Sequence, residues 1–401
     1  MKNTELRLSS RLEGVTESAT LKLNAAVQAM KQKGIDVVNL TAGEPDFMVP
    51  DPAKEAMIDA VKQNKSKYTA VAGIVELRDA IVQKTNAQQP SVIKATGPWK
   101  NSEVVVSNGG KQALFNVFMA LLNPGDEVLI PSPYWLSYPE MVKLMGGTSR
   151  FIHAPSSQGF KITPIQLEQA ITSKTRMIIF NSPSNPTGAM YSKAEFRALA
   201  EILIRAQNQG IWVVSDEIYD RIVFGVPFCS FLESAPELRS RTITINGMSK
   251  AAAMTGWRIG GSVAPALVTQ GVITIQGQST SGISAPSQWA SVAALKITES
   301  SFAEQIKTYI RRRDLALDIL RKTSKIDVVT PEGAFYLFCG VGHYIKAGED
   351  SFSFAERLLE EAKVAVVPGT PFGEKEFVRL SFATDERSLQ EGCERIVRFL
   401  R

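Results

Sequence analysis

The sequence predicts an α/β protein: a large domain with a mostly parallel sheet covered by helices, plus a smaller α+β domain drawn from both ends of the chain. Three observations predict it. Short, nearly unbroken β-branched runs recur through the middle of the chain. Each ends in Gly, Pro, Ser or Asn and leads into a helical pattern. Runs apolar on both faces suit strands buried on both faces, which is the habit of parallel sheets. Finally, 401 residues exceed the roughly 250 to 300 at which a single hydrophobic core stops growing, so more than one domain is expected. The expected division is an N-terminal arm and part of the small domain in 1–50, the large domain in 51–300 and the rest of the small domain in 301–401.

Taken in order, Val104-Val105-Val106 runs into Ser107-Asn108-Gly109-Gly110, Glu127-Val128-Leu129-Ile130 into Pro131-Ser132-Pro133, and Met177-Ile178-Ile179-Phe180 into Asn181-Ser182-Pro183. Next come Ile211-Trp212-Val213-Val214 before Ser215-Asp216, and Thr242-Ile243-Thr244-Ile245 before Asn246-Gly247. After Ser300 the pattern changes to one long amphipathic helix, Phe302 to Arg321. Behind it lie a strand over Gly333 to Phe338, a helix over Phe354 to Glu361, the run Val364-Ala365-Val366-Val367, the strand Val378 to Phe382 and a last helix. In open α/β sheets ligands collect beyond the carboxyl ends of the strands, and those ends are where the unusual residues sit.

Composition narrows the chemistry. The 45 basic and 40 acidic residues are interspersed, and the one dense run, Arg311-Arg312-Arg313, is followed by Asp314 in a helical pattern, so it reads as a solvated face. No nucleic-acid partner is expected. Cys229, Cys339 and Cys393 are odd in number and far apart, which fits neither a disulfide framework nor a metal site and implies a reducing compartment. With only His153 and His343, a histidine metal centre or a Ser/His/Asp triad has little material. The N-terminus carries no leader pattern, and no run of about 18 apolar residues appears. A soluble, cytoplasmic protein without metal or membrane partner is expected.

Four segments carry candidate chemistry. In Ser107-Asn108-Gly109-Gly110-Lys111 the glycines bare backbone N–H groups at a helix start, which suits a phosphate or a plain turn. Asn181-Ser182-Pro183-Ser184-Asn185-Pro186-Thr187-Gly188 holds a loop in one shape, aiming the Asn185 amide at a ligand or making a polar turn. Asp216, just past an apolar run, needs a positive partner if buried, such as a protonated pyridine nitrogen. Lys250, in Met248-Ser249-Lys250-Ala251, becomes a nucleophile if burial and a cation such as Arg258 lower its pKa; otherwise it is a surface lysine.

This set, in this order, resembles the fold-type-I, class I aminotransferases that depend on pyridoxal 5'-phosphate, and within them the bacterial aspartate aminotransferase subgroup marked by Thr41-Ala42-Gly43-Glu44-Pro45-Asp46-Phe47. Ser249-Lys250 followed eight residues later by Arg258, with Asn185-Pro186-Thr187-Gly188 upstream, makes coincidence negligible. The resemblance covers nearly the whole chain. It implies that Lys250 carries the cofactor covalently and shuttles the substrate proton, that Asp216 keeps the ring nitrogen protonated, and that Tyr219 and Asn185 hold the ring oxygen. It also implies that Trp135 stacks on the ring, while the backbone groups of Gly110 and Lys111, with Ser249, Arg258 and Tyr68 from a second subunit, hold the phosphate. A homodimer with shared active sites follows. Arg379 would take the substrate α-carboxylate, Gly43 would close over the substrate, and Lys111 is the candidate for a distal carboxylate.

The resemblance therefore implies ping-pong transfer of an amino group from an L-amino acid, aspartate first, to a 2-oxo acid such as 2-oxoglutarate. Aromatic or prephenate aminotransferase and C–S β-lyase activities are the alternatives on the same scaffold, and a cofactor-binding protein without turnover is the alternative from another class. Three departures from the subgroup stand out. Thr16-Glu17 replace the Lys-Pro that usually precedes Ser18-Ala19-Thr20, while Ala252 and Gly261 stand where aromatic residues are usual. The last two are expected to widen the space around the cofactor.

Overall fold

The computed structural model of the protein describes residues 7–16, 19–323 and 325–401. Glu17 and Ser18, part of the N-terminal motif, lie outside the described residues, as does the start of the N-terminal arm. Thirteen strands among the described residues make three sheets. In chain order they are β1 (Val38–Asn39), β2 (Val104–Asn108), β3 (Glu127–Ser132), β4 (Thr148–His153), β5 (Thr175–Asn181), β6 (Trp212–Asp216), β7 (Thr242–Gly247), β8 (Ile259–Val263), β9 (Asp327–Val328), β10 (Tyr336–Gly340), β11 (Val364–Ala365), β12 (Val367–Pro368) and β13 (Phe377–Ser381).

The large sheet has seven strands in the order β2-β8-β7-β6-β5-β3-β4. All run parallel except β8, which is antiparallel to both neighbours. Each of the five central runs read from the sequence forms one of its strands, because apolar side chains on both faces are buried under helices on either side. Leu129, Ile178 and Val213 face one such core, and Val128, Ile179 and Val214 the other. Two strands were not anticipated. β4 is an edge strand whose Ser149, Arg150 and Phe151 are not buried, and β8 hides in Ile259-Gly260-Gly261-Ser262-Val263 because glycine gives no periodic signal. Those glycines are steric: a Cβ on Gly261 would meet the Val105 carbonyl oxygen at 2.6 Å.

The C-terminal part forms an antiparallel sheet in the order β12-β13-β10-β9, and β1 pairs in parallel with β11. The apolar run Val364 to Val367 is divided between these two sheets. β11 pairs with β1 and β12 with β13, with Val366 fully buried between them. The long helix spans Ala303–Leu320 and packs Tyr309, Ala316, Leu317 and Leu320 into one core with Val38, Leu40, Phe335, Leu380 and Ile396. Each such large apolar side chain contributes about 1.5 to 3 kcal/mol by leaving water. The first ordered strand and the last helix thus share one core, which fixes the loop after β1 over the ends of the large sheet.

That geometry decides where chemistry gathers. The carboxyl ends of β2, β3, β5, β6 and β7 share one edge of the sheet, and because β8 is reversed, its entry residue Arg258 arrives at the same edge. Among the described residues no helix is long and apolar enough to cross a membrane.

Candidate active site

A cavity of about 600 Å³ opens at that edge, and every site residue read from the sequence lines it except Tyr68: Gly43, Gly110, Lys111, Trp135, Asn185, Asp216, Tyr219, Ser249, Lys250, Arg258 and Arg379. The volume suits a cofactor with a small substrate. Tyr68 is 96% exposed on the surface of the single chain.

Asp216 ends β6 and is almost fully buried. Its Oδ2 accepts from Tyr138 Oη at 2.7 Å and its Oδ1 from the Ile218 N–H at 3.3 Å. Burial outweighs these hydrogen bonds and pushes its pKa up to about 6. The charge of Lys250 acts on it only weakly, and it makes no ion pair among the described residues. In the unfolded chain it titrates near about 3.9, so the folded, cofactor-free protein holds a proton between about pH 4 and 6 that the unfolded chain has lost. Stability therefore falls as pH rises through that window, by about 3 kcal/mol once pH 7 is reached. Asp216→Asn removes that cost. The cofactor-free variant is expected to melt a few degrees above its parent at about pH 7, with the gap closing toward about pH 4; thermal melts at both values check this.

Lys250 lies in the turn after β7, largely buried, with Nζ donating to the Gly43 carbonyl at 2.5 Å. The rings of Tyr219 and Phe335 stand 5.9 Å from the amine. Burial, then the positive charges of Arg379 and Arg258, bring its pKa down to about 8 against the pull of Glu44. This is no surface lysine: near pH 8 about half of it is an uncharged nucleophile.

Around the start of the helix Gly109–Leu121 backbone N–H groups and two cationic side chains, Lys111 and Arg258, come together. Arg258 adopts a left-handed backbone, φ 56°, which turns its guanidinium back so that Nη1 donates to Thr255 O at 2.9 Å and Nη2 to Asn108 O at 3.2 Å. Two glycines make this approach feasible. A Cβ on Gly109 would meet the Arg258 guanidinium at 2.7 Å, and one on Gly260 would meet the Gly110 nitrogen at 2.3 Å. Lys111 Nζ lies 5.0 Å from the centre of the Trp135 ring, and burial followed by the charge of Arg258 lowers its pKa.

At the other end Arg379, on β13, is 3% exposed. Nη1 donates to Asn185 Oδ1 at 2.9 Å, Nη2 to Thr41 O at 3.1 Å, and buried Nε has no partner. The guanidinium carbon stands 4.4 Å from the Tyr336 ring centre and 5.2 Å from that of Phe372. A buried guanidinium whose hydrogen bonds go to neutral oxygens is prepared for an anion. Asn185 is itself placed by Asn181, whose Oδ1 accepts the Asn185 N–H at 2.9 Å and whose Nδ2 donates to Asp216 O at 3.0 Å.

Among the lining residues to which the sequence reading gave no role are Tyr138, Asn181 and Tyr336. Tyr138 was within reach, since it follows Trp135 by three residues at a helix start and so shares its face. Tyr336 was not, because β10 is buried throughout and shows no alternation. The expectation for Ala252 and Gly261 is corrected. Neither lines the cavity. Ala252 packs with Ala53, Leu77 and Met254, and Gly261 faces the backbone of β2 beside an internal void of about 30 Å³. Their small size serves close packing behind the site and adds no room in it.

Comparison with known proteins follows this geometry. A family model described as aminotransferase class I and II matches residues 35–396. A protein of Rhizobium leguminosarum bv. phaseoli named probable aspartate/prephenate aminotransferase is 45% identical over 403 residues, spanning 98% of each chain. An aspartate aminotransferase of Rhizobium meliloti (strain 1021) is 42% identical over 407 residues, with 99% of this chain and 97% of that one covered. Among solved structures, the aspartate aminotransferase from Rhizobium meliloti superposes with a TM-score of 0.92 at 41% identity over 99% of both chains. That from Thermus thermophilus with maleate gives 0.91 at 41% identity, covering 98% of this chain and all of the other.

Proposed function

The chain belongs to the class I and II aminotransferases, and from that premise we propose that it carries pyridoxal 5'-phosphate on Lys250 and moves the amino group of L-aspartate to a 2-oxo acid such as 2-oxoglutarate. One observation carries the reading: a lysine amine with a pKa near 8, a buried carboxylate and a buried guanidinium face one cavity, the last two without an ion pair among the described residues.

The residues fit the cofactor. Its ring nitrogen, once protonated, would give Asp216 an ion-pair partner; its phosphate matches the cup of Gly110, Lys111, Ser249 and Arg258; its aldehyde matches the Lys250 amine. When bound, the cofactor supplies an aldehyde that exchanges amines and a ring that accepts the electrons of the broken Cα–H bond. The protein does the rest. Lys250 Nζ would hold the cofactor's aldehyde carbon and, when free, would be the base that takes the substrate's Cα proton and returns it. Asp216, oriented by Tyr138, holds the ring nitrogen in its protonated form. Tyr219 and Asn185 steady the ring oxygen, and Trp135 covers the ring face. Arg379 turns its unpartnered Nε and one Nη toward the α-carboxylate in a bidentate grip. The Gly43 loop closes over the substrate.

Tyr68, from a second copy of the chain, completes the phosphate site in a homodimer. Its exposure on the single chain leaves its side chain open to a second copy. Under the same reading 51–300 is the cofactor-binding domain, while 1–50 with 301–401 forms the smaller one.

Lys111 is assigned the distal carboxylate. Lys111→Ala is expected to raise KM for aspartate about 10- to 100-fold, the loss of one charge-assisted hydrogen bond. The KM for alanine, which has no second carboxylate, should change by less than about 2-fold. Steady-state kinetics with both donors checks this. The substrate assignment is tested by mixing the holoenzyme with L-aspartate and 2-oxoglutarate and following oxaloacetate. Turnover with prephenate or aromatic donors but none with aspartate would keep the reaction and discard the substrate. Pyruvate and ammonia from cystathionine, without any acceptor, would point to a β-lyase.

A further inference from the structure

Tyr336 is 1% exposed and lines the cavity, yet the proposed reaction gives it no role. In the β10–β13 register Phe338 stands opposite Arg379 and Tyr336 opposite Ser381, so Tyr336 and Arg379 are diagonal neighbours on one face of the sheet. The diagonal lays the Arg379 guanidinium 4.4 Å from the centre of the Tyr336 ring. At its far end, Tyr336 Oη lies 2.9 Å from Tyr219 Oη. The side chain therefore spans from the arginine at one end of the substrate site to the tyrosine at the cofactor end.

The shared hydrogen bond has a direction. A hydroxyl has one proton to give. If Tyr219 donates toward the cofactor's ring oxygen, it receives from Tyr336, whose hydroxyl has no other hydrogen-bond partner among the described residues. A phenylalanine would fill the same space, stack on the same guanidinium and lack this donation. Packing against Phe335, 4.7 Å between ring centres, accounts for the ring and leaves the hydroxyl unexplained.

We propose that Tyr336 is a positioning residue for amino transfer: its hydroxyl fixes the direction in which Tyr219 donates, and its ring is the platform that sets the plane of the Arg379 guanidinium. The inference rests on the proposed function. The charged and titratable groups around the tyrosine pair include Asp216, Lys250, Arg379, Tyr138 and, on the helix Ala303–Leu320, Tyr309.

Two variants separate the two roles. Tyr336→Phe removes only the hydroxyl; Tyr336→Leu removes hydroxyl and platform. Three quantities are measured on the cofactor-loaded protein: the pH midpoint of its visible band, the affinity for succinate as an unreactive dicarboxylate, and kcat and KM for aspartate. Tyr336→Phe is expected to raise the midpoint by about 0.5 to 1 unit, because Tyr219 becomes a poorer donor to the ring oxygen, with succinate affinity within about 2-fold of the parent. Tyr336→Leu is expected to show the same midpoint shift plus a succinate Kd and an aspartate KM raised about 10-fold. In a Tyr219→Phe background the midpoint should no longer respond to Tyr336→Phe. An unmoved midpoint in Tyr336→Phe overturns the hydroxyl role, and unchanged succinate binding in Tyr336→Leu overturns the platform. A parent protein that takes up pyridoxal phosphate but behaves this way fails the inference alone; one that takes up none fails the proposed function with it.

Discussion

Lys250→Ala is expected to lower kcat/KM for aspartate and 2-oxoglutarate by about ten-thousand-fold or more, because it removes both a nucleophile and a proton shuttle, either of which alone contributes on the order of 100- to 10,000-fold. The variant should still fold. Burial already disfavours the charged amine at this position, so the cofactor-free variant should melt at or above the parent's temperature. It should also retain pyridoxal phosphate without a covalent bond, since Asp216 and the cup formed by Gly110, Ser249 and Arg258 remain. Lys250→Arg should not restore the activity, because a guanidinium is never deprotonated in a protein and cannot take the Cα proton. Steady-state rates, absorbance spectra and melts of the three proteins check each part.

Arg379→Leu is expected to lower kcat/KM for aspartate by about 100- to 1,000-fold, the cost of losing one partner of a desolvated, hydrogen-bonded charge pair. Most of the loss should fall on KM, because the α-carboxylate is gripped in ground and transition state alike. Arg379→Lys should recover little. An ammonium offers no planar fork to replace the two bonds that the guanidinium now gives to Asn185 Oδ1 and Thr41 O at 2.9 and 3.1 Å. Kinetics with aspartate for all three proteins tests both expectations.

The fold was legible wherever burial writes a pattern. Val104-Val105-Val106 and Met177 to Phe180 are apolar on both faces because helices cover both sides of the sheet, and nothing else makes such runs. It was illegible where a strand is held by backbone approach instead of side chains, as in β8, or where one apolar run serves two sheets, as around Val366. The site behaves the same way. Lys250, Asp216, Asn185 and Arg258 announced themselves because glycines, prolines and a lone carboxylate at strand ends are poor choices for stability and good ones for chemistry. Tyr336 gave no sign, since its importance lies in standing diagonal to Arg379 and 2.9 Å from Tyr219, relations set by register and by the crossing of the two sheets. Ala252 and Gly261 show the converse error. As sequence neighbours of Lys250 and Arg258 they are expected to widen the space around the cofactor, yet a strand's alternation and a turn's direction send them behind it.

The central claim is that the ε-nitrogen of Lys250 bonds covalently to pyridoxal phosphate, and borohydride reduction of the loaded protein followed by peptide mass mapping tests it most directly. The expected result is one irreversibly modified peptide, the one that contains Ser249-Lys250, with the label lost in Lys250→Ala. A label on Lys111 or any other lysine, or no label on a protein that still transfers amino groups, would contradict the account.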